Sequence, residues 1–129
     1  MNEALLLDTS AVIRFFRGDP ETIRFLRSSS LWLCPIVLGE LYFGAYKSQQ
    51  FEYEADKIEL FCKRVNMLVC DDQTSRIYGQ IASQLALAGT PISPNDTWIA
   101  AFALRYRVTL LSADTDFKRV SRLNCVLLK

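Results

Sequence analysis

The chain is predicted to be an α/β protein whose mainly parallel central sheet is covered by helices on both faces. Three observations predict it. The clearest strand candidates, "ALLLD", "MLVC", "VTLLS" and "NCVLL", are apolar at consecutive positions, as strands buried on both faces must be. Segments with helical caps or helical spacing lie between them, and parallel strands require such crossovers. At 129 residues, half of them hydrophobic, the chain fits one domain, 1–129, with one core.

The first strand spans Ala4 to Asp8. "TSAVIRFFRG" follows as a helix that Ser10 can cap and Gly18 can end. "DPETIRFLRSS" opens a second helix, with Asp19 as N-cap, Pro20 at the first position and Glu21 in the first turn. "LWLC", Leu31 to Cys34, reads as a brief strand or as an extended entry into the next helix. "PIVLGELYFGAYKS" is a helix apolar nearly all round and is therefore expected to be buried. "FEYEADKIELFCKRV" is an amphipathic helix, its acids early and its bases late, as the helix dipole prefers. "MLVC" is a strand. "DDQTSRIYGQIASQLALAG" is a helix with Asp72 as cap, Ile77, Ile81 and Leu85 on one face, and Gly89 at its end. "PISPND" is a loop, and "TWIAAFALRYR" is a helix with Trp98, Ile99, Phe102 and Tyr106 on one stripe. "VTLLS" is a strand, "ADTDFKRV" a turn with a short helix, and "NCVLL" the last strand.

Composition narrows the chemistry. There is no histidine, which removes Ser-His-Asp and Cys-His nucleophilic machinery. A catalyst of this composition must work with carboxylates, metal ions, lysines or tyrosines. Cys34, Cys62, Cys70 and Cys125 form no C-x-x-C pair and have no histidine to complete a zinc site; they read as reduced, mostly buried thiols of a cytoplasmic protein. "MNEALLLDTS" lacks the basic start and long apolar run of a signal peptide, and no apolar stretch is long enough to predict a membrane span. Net charge is +1, so no global field points to nucleic acid. Two local basic clusters exist, Arg14, Arg17, Arg24 and Arg27, then Arg105, Arg107, Lys118, Arg119 and Arg122. They are either solvated helix faces or a grip on a polyanionic backbone.

Ligands of open parallel sheets bind beyond the C-terminal ends of the strands. Asp8 ends the first strand, Asp114 lies just past "VTLLS", and Asp96 begins the helix leading into that strand, so all three can face one end of the sheet. Singly, Asp8 and Asp96 can be caps, and Asp114 and Asp116 turn or cap residues. Glu40 is different. It sits in "IVLGELYFGA", and its helical neighbours Ile36, Val37, Phe43 and Gly44 offer no ion pair. An ionised carboxylate there needs a cation or donors from elsewhere, and Gly44 leaves space beside it. Together the acids suggest a pocket for Mg²⁺ or Mn²⁺, since oxygen ligands suit those ions and unbalanced carboxylates would raise one another's pKa.

At these residues the chain resembles the PIN-domain proteins, more narrowly the VapC-type toxin ribonucleases of toxin–antitoxin pairs. "LLLDTSAVIRFFRG", "VLGELYFGA", "PNDTWIAAFAL" and "TLLSADTDFKRV" resemble the four family motifs, in order and each with its acid. The resemblance covers nearly the whole chain and implies a PIN-like three-layer sandwich. It makes Asp8, Glu40, Asp96 and Asp114 the metal-site acids, with Asp116 as a fifth contributor and Thr9, Ser10 and Ser112 as supporting hydroxyls. Ser10 stands where the family often has Asn, and Ser112 where Thr is common; both keep a hydrogen-bonding group. The resemblance further implies an Mg²⁺- or Mn²⁺-dependent endoribonuclease leaving a 5′-phosphate and a 3′-hydroxyl, a homodimer, and a small VapB-type antitoxin. Phe15, Phe16, Tyr42, Phe43, Tyr46, Phe51 and Tyr53 are more aromatic surface than one small core hides, which suits a protein partner. Two rival readings remain. A phosphotransferase of the haloacid-dehalogenase type expects an acid where Ser10 stands. A PIN-like module that binds RNA or protein without cutting is expected to lose its acids, and here they are present.

Overall fold

Leu5, Leu6 and Leu7 are almost wholly inaccessible, which suits a central strand covered on both faces. They lie in β1 (Glu3–Leu7). The computed structural model describes residues 3–129; Met1 and Asn2, which open the N-terminal run discussed above, lie outside the described residues. After β1 come α1 (Thr9–Phe16), α2 (Pro20–Arg27), β2 (Ser29–Leu33), α3 (Pro35–Lys47) and α4 (Phe51–Cys62). Then follow β3 (Asn66–Met67), α5 (Asp72–Leu87), α6 (Pro94–Tyr106), β4 (Thr109–Ser112), a 3₁₀ turn (Thr115–Arg119) and β5 (Cys125–Leu127). The five strands form one all-parallel sheet in the order β3-β2-β1-β4-β5, flanked by the six α-helices.

The strands β1, β2 and β3 step outward to one edge, and the chain then crosses back to β4 and β5 on the other side of β1. Strand order therefore reverses between β1 and β4, and a crevice opens at such a reversal beyond the strand ends. The pairing Leu7↔Leu111 sets Asp8 beside Ser112, and the Asp8 N–H donates to the Leu111 carbonyl at 3.1 Å. The core gathers Leu33, Val37, Ile99, Phe102, Leu110, Leu111 and Phe117 around this pair of strands.

The structure corrects several element readings. Leu31 to Leu33 of "LWLC" lie in a true strand that begins two residues earlier, at Ser29, and Cys34 is the N-cap of α3. Strand β3 is only Asn66–Met67, at the sheet edge and N-terminal to most of "MLVC". Helix α1 is capped by Asp8, whose carboxylate accepts from the Ala11 N–H; Ser10 is not the cap. Asp71, not Asp72, caps α5, and Thr74 returns the bond in a capping box. Helix α6 starts at Pro94 under a Ser93 cap, so half of the expected loop "PISPND" is helical. Helix α3 is not buried all round: Phe43 is 66% and Tyr46 64% exposed. Tyr46 stacks on Tyr42 and Lys47 lies over the Phe43 ring, but both Phe43 and Tyr46 stay open to solvent. Of the four free thiols only Cys34 is buried, and Cys70 is exposed.

Candidate metal centre

Three elements end or begin at the crevice. Asp8 leaves β1, Asp96 lies in the first turn of α6, and Asp114 and Asp116 stand on the turn after β4. One carboxylate oxygen each from Asp96, Asp114 and Asp116 lies within 4.8 Å of the others. Arg119 reaches Asp116 at 3.6 Å and also donates to the Pro91 carbonyl. Among the described residues Asp116 is the one acid of the three with an ion-pair partner.

Asp8 is the deepest acid, only 4% exposed. Its Oδ1 accepts from Ser10 Oγ at 2.6 Å and from the Ala11 N–H at 2.9 Å, and its Oδ2 accepts from Ser112 Oγ at 2.5 Å. The same hydroxyls accept in turn from the loop after β4: Ser10 Oγ from the Ala113 N–H and Ser112 Oγ from the Asp114 N–H. Two serines thus tie the end of β1 to the exit of β4 through the carboxylate. Burial raises the Asp8 pKa, these donors pull it down, and the Asp114 charge adds a smaller rise.

Asp96 is half-buried, and its pKa is pushed up to about 6. Burial is the largest cause; the charge of Asp114 comes next among the raising effects, then those of Glu40 and Asp8. Desolvation is therefore a larger single cause than the repulsion from any one neighbouring acid, the effect that the sequence alone suggested. Glu40 has no cationic partner among the described residues, in keeping with its helical neighbours. Neutral donors hold it: Thr9 Oγ1 gives 2.6 Å to Oε1, and Asn95 Nδ2 gives 3.2 Å to Oε2. Glu40 and Thr9 also line a groove of about 400 Å³ between α1, α3 and α4, with Arg17, Gly44, Lys57 and Ile58. A Cβ built on Gly44 meets nothing within 4 Å, so the exposed helix face one turn beyond Glu40 is open.

This oxygen-only cluster at the reversal of strand order accompanies a PIN domain profile that matches residues 5–123. The chain belongs to the PIN-domain family. The PIN domain is 34% identical over 124 residues to ribonuclease VapC1 of Haemophilus influenzae strain R2866, covering 92% of each chain. It is 35% identical over 119 residues to the tRNA(fMet)-specific endonuclease VapC of Salmonella typhimurium, covering 89% of this chain and 90% of that one. Among solved structures, VapBC-1 from nontypeable Haemophilus influenzae matches with a TM-score of 0.88 and 32% identity, over 96% of this chain and 97% of that one.

Of the acids read from the PIN motifs, Asp96 and Asp114 meet in the close cluster, where Asp116 joins them, whereas Asp8 and Glu40 stand outside it and act on Asp96 through their charge. Ser10 and Ser112 donate to Asp8, and Thr9 to Glu40. Asp116 stands closer to Asp96 and Asp114 than its reading as a turn residue implies. Two residues escaped the sequence. Asn95 donates to Glu40 across 55 positions, and Ser93 accepts from the Asp96 N–H. Ser93 was legible as the polar residue before Pro94, a common cap pattern. Nothing in the sequence pointed to Asn95. The late basic cluster is partly committed: Arg105 binds both oxygens of Asp71.

Proposed function

We propose that this PIN domain, with residues 1–129 as one unit, is an endoribonuclease and the toxin half of a VapBC-type toxin–antitoxin pair. The observation that carries the reading is the meeting of Asp96, Asp114 and Asp116 within 4.8 Å, beside buried Asp8 and doubly held Glu40. The ribonuclease and endonuclease relatives support it.

The donors are hard oxygens in excess of the nearby positive charge, which fits Mg²⁺ or Mn²⁺. Asp8, Asp96, Asp114 and Glu40 are the proposed metal-site acids, with Asp116 in support. When bound, the ion supplies charge for a phosphodiester oxygen and lowers the pKa of a water. The chain's own residues prepare for it. Ser10, Ser112 and the Ala11 N–H fix Asp8 in one orientation and favour its ionised form. The first turn of α6 carries Asp96 to the cluster, and the turn after β4 carries Asp114 and Asp116. A small VapB-type partner and a homodimer complete the reading, since Phe43, Tyr46, Phe51 and Tyr53 stand exposed on α3 and α4.

The test is cleavage of total cellular RNA and of tRNA(fMet) by partner-free protein, with Mg²⁺, with Mn²⁺ and with chelator. Discrete fragments that need the metal are expected, and Asp8→Asn and Asp96→Asn should each cut the rate by about 100-fold or more. Intact RNA under every condition would move the reading to a module that binds without cutting.

A further inference from the structure

Glu40 reaches the metal centre from a half-buried helix face, on a side chain with three rotatable bonds. Such a side chain keeps one orientation only if its surroundings impose it. Two donors do so here, from two other elements. Thr9 Oγ1, at the start of α1, holds Oε1, and Asn95 Nδ2, in the first turn of α6, holds Oε2. Neither donor is charged, so neither cancels the negative charge that Glu40 presents to Asp96. The groove that Glu40 lines also carries Arg17, and Lys57 paired there with Glu54 at 3.4 Å, so a released carboxylate has a cation, Arg17, to turn toward.

We propose that Asn95 is a positioning residue that acts on the metal centre through Glu40. It neighbours Asp96 in the chain yet points its amide at a different acid, so one turn of α6 supplies an acid and orients another. Asn95 itself is exposed, so truncation there is expected to leave the fold intact. The proposal rests on the metal-centre reading above.

A double-mutant cycle tests it by Mn²⁺ binding to the protein alone, measured calorimetrically, and in parallel by RNA cleavage kinetics. Asn95→Ala should weaken Mn²⁺ about 10-fold, the effect of removing a group that orients a metal-site acid. In a Glu40→Ala background, where the acceptor is removed, the same change should shift affinity less than about 2-fold, since its route of action is gone. In cleavage, Asn95→Ala should lower kcat and leave KM for RNA within about 2-fold. Asn95→Gln, which keeps the amide donor, should recover most of the loss. Equal effects of Asn95→Ala with and without Glu40, or no effect on Mn²⁺ in either, overturn the proposal. A wild-type protein that binds Mn²⁺ but cuts no RNA overturns the nuclease reading alone, and the binding cycle still decides the role of Asn95.

Discussion

Asp96 carries a pH signature that follows from its place. Its pKa rises from 3.8 to about 6 on folding. Below about pH 4 the carboxyl is protonated in both states and contributes nothing to pH dependence. Between about 4 and 6 the unfolded chain releases the proton while the folded chain still holds it, so stability falls as pH rises through this window. The full penalty is present above about pH 6, on the order of 1–2 kcal/mol once solvent access is allowed for. Metal-free protein should therefore melt higher at pH 5 than at pH 7.5, and Asp96→Asn should raise the pH 7.5 value, as differential scanning calorimetry would show. Because bound metal needs the ionised acid, Mg²⁺ should stabilise the protein more at pH 7.5 than at pH 5. Ser112 makes the opposite case. Ser112→Ala removes a donor from buried Asp8 and should cost about 1–3 kcal/mol in urea unfolding. Asp8 was readable from its place at a strand end. The family motifs marked Ser10 and Ser112 as supporting hydroxyls, but the bond from Ser112 to Asp8 spans 104 residues, and only strand pairing brings the two together.

At the scale of elements, α5 and α6 are joined where the sequence suggested a free basic cluster. Asp71 caps α5 and accepts two bonds from Arg105 Nε and one of 2.6 Å from its Nη2, while the Tyr106 hydroxyl donates to the Val69 carbonyl. The Arg105 bonds come first among the causes that hold the Asp71 carboxyl well below its usual range. A depressed acid contributes stability above its ordinary pKa and loses it as pH falls toward the folded value. Asp71→Ala should therefore lower Tm by about 5 °C at pH 7 and by less at pH 3, while leaving Mn²⁺ affinity unchanged, because the tie lies away from the acids. Helix positions were legible because caps and periodicity are local. Which Asp of "DDQT" caps α5 was not, since Thr74 and Arg105 both choose Asp71.

At the scale of the whole molecule, the aromatic excess on α3 and α4 has no place in the core. Phe43, Tyr46, Phe51 and Tyr53 all stand exposed, while Phe15 and Phe16 pack against Phe61. Light scattering is expected to give a dimer mass at micromolar concentrations, and a monomer mass throughout that range would remove the homodimer from the proposal. Exchanging Phe43 and Tyr53 for serine should weaken capture of a VapB-type partner by about 10-fold or more and spare cleavage by the isolated chain, because neither ring touches the acids. Among the described residues no helix is long and apolar enough to cross a membrane. Buried-strand runs, helix caps and the order of four acid-bearing motifs were all written in local sequence, and from them came the parallel sheet, its helices and the proposed metal-site acids. The register Leu7↔Leu111, the serine bridges to Asp8, the Asn95 hold on Glu40 and the outward face of α3 came only with the tertiary structure. Composition and periodicity act between near neighbours, whereas the Asn95–Glu40 and Ser112–Asp8 contacts join residues 55 and 104 positions apart, and only the packed fold sets their distances.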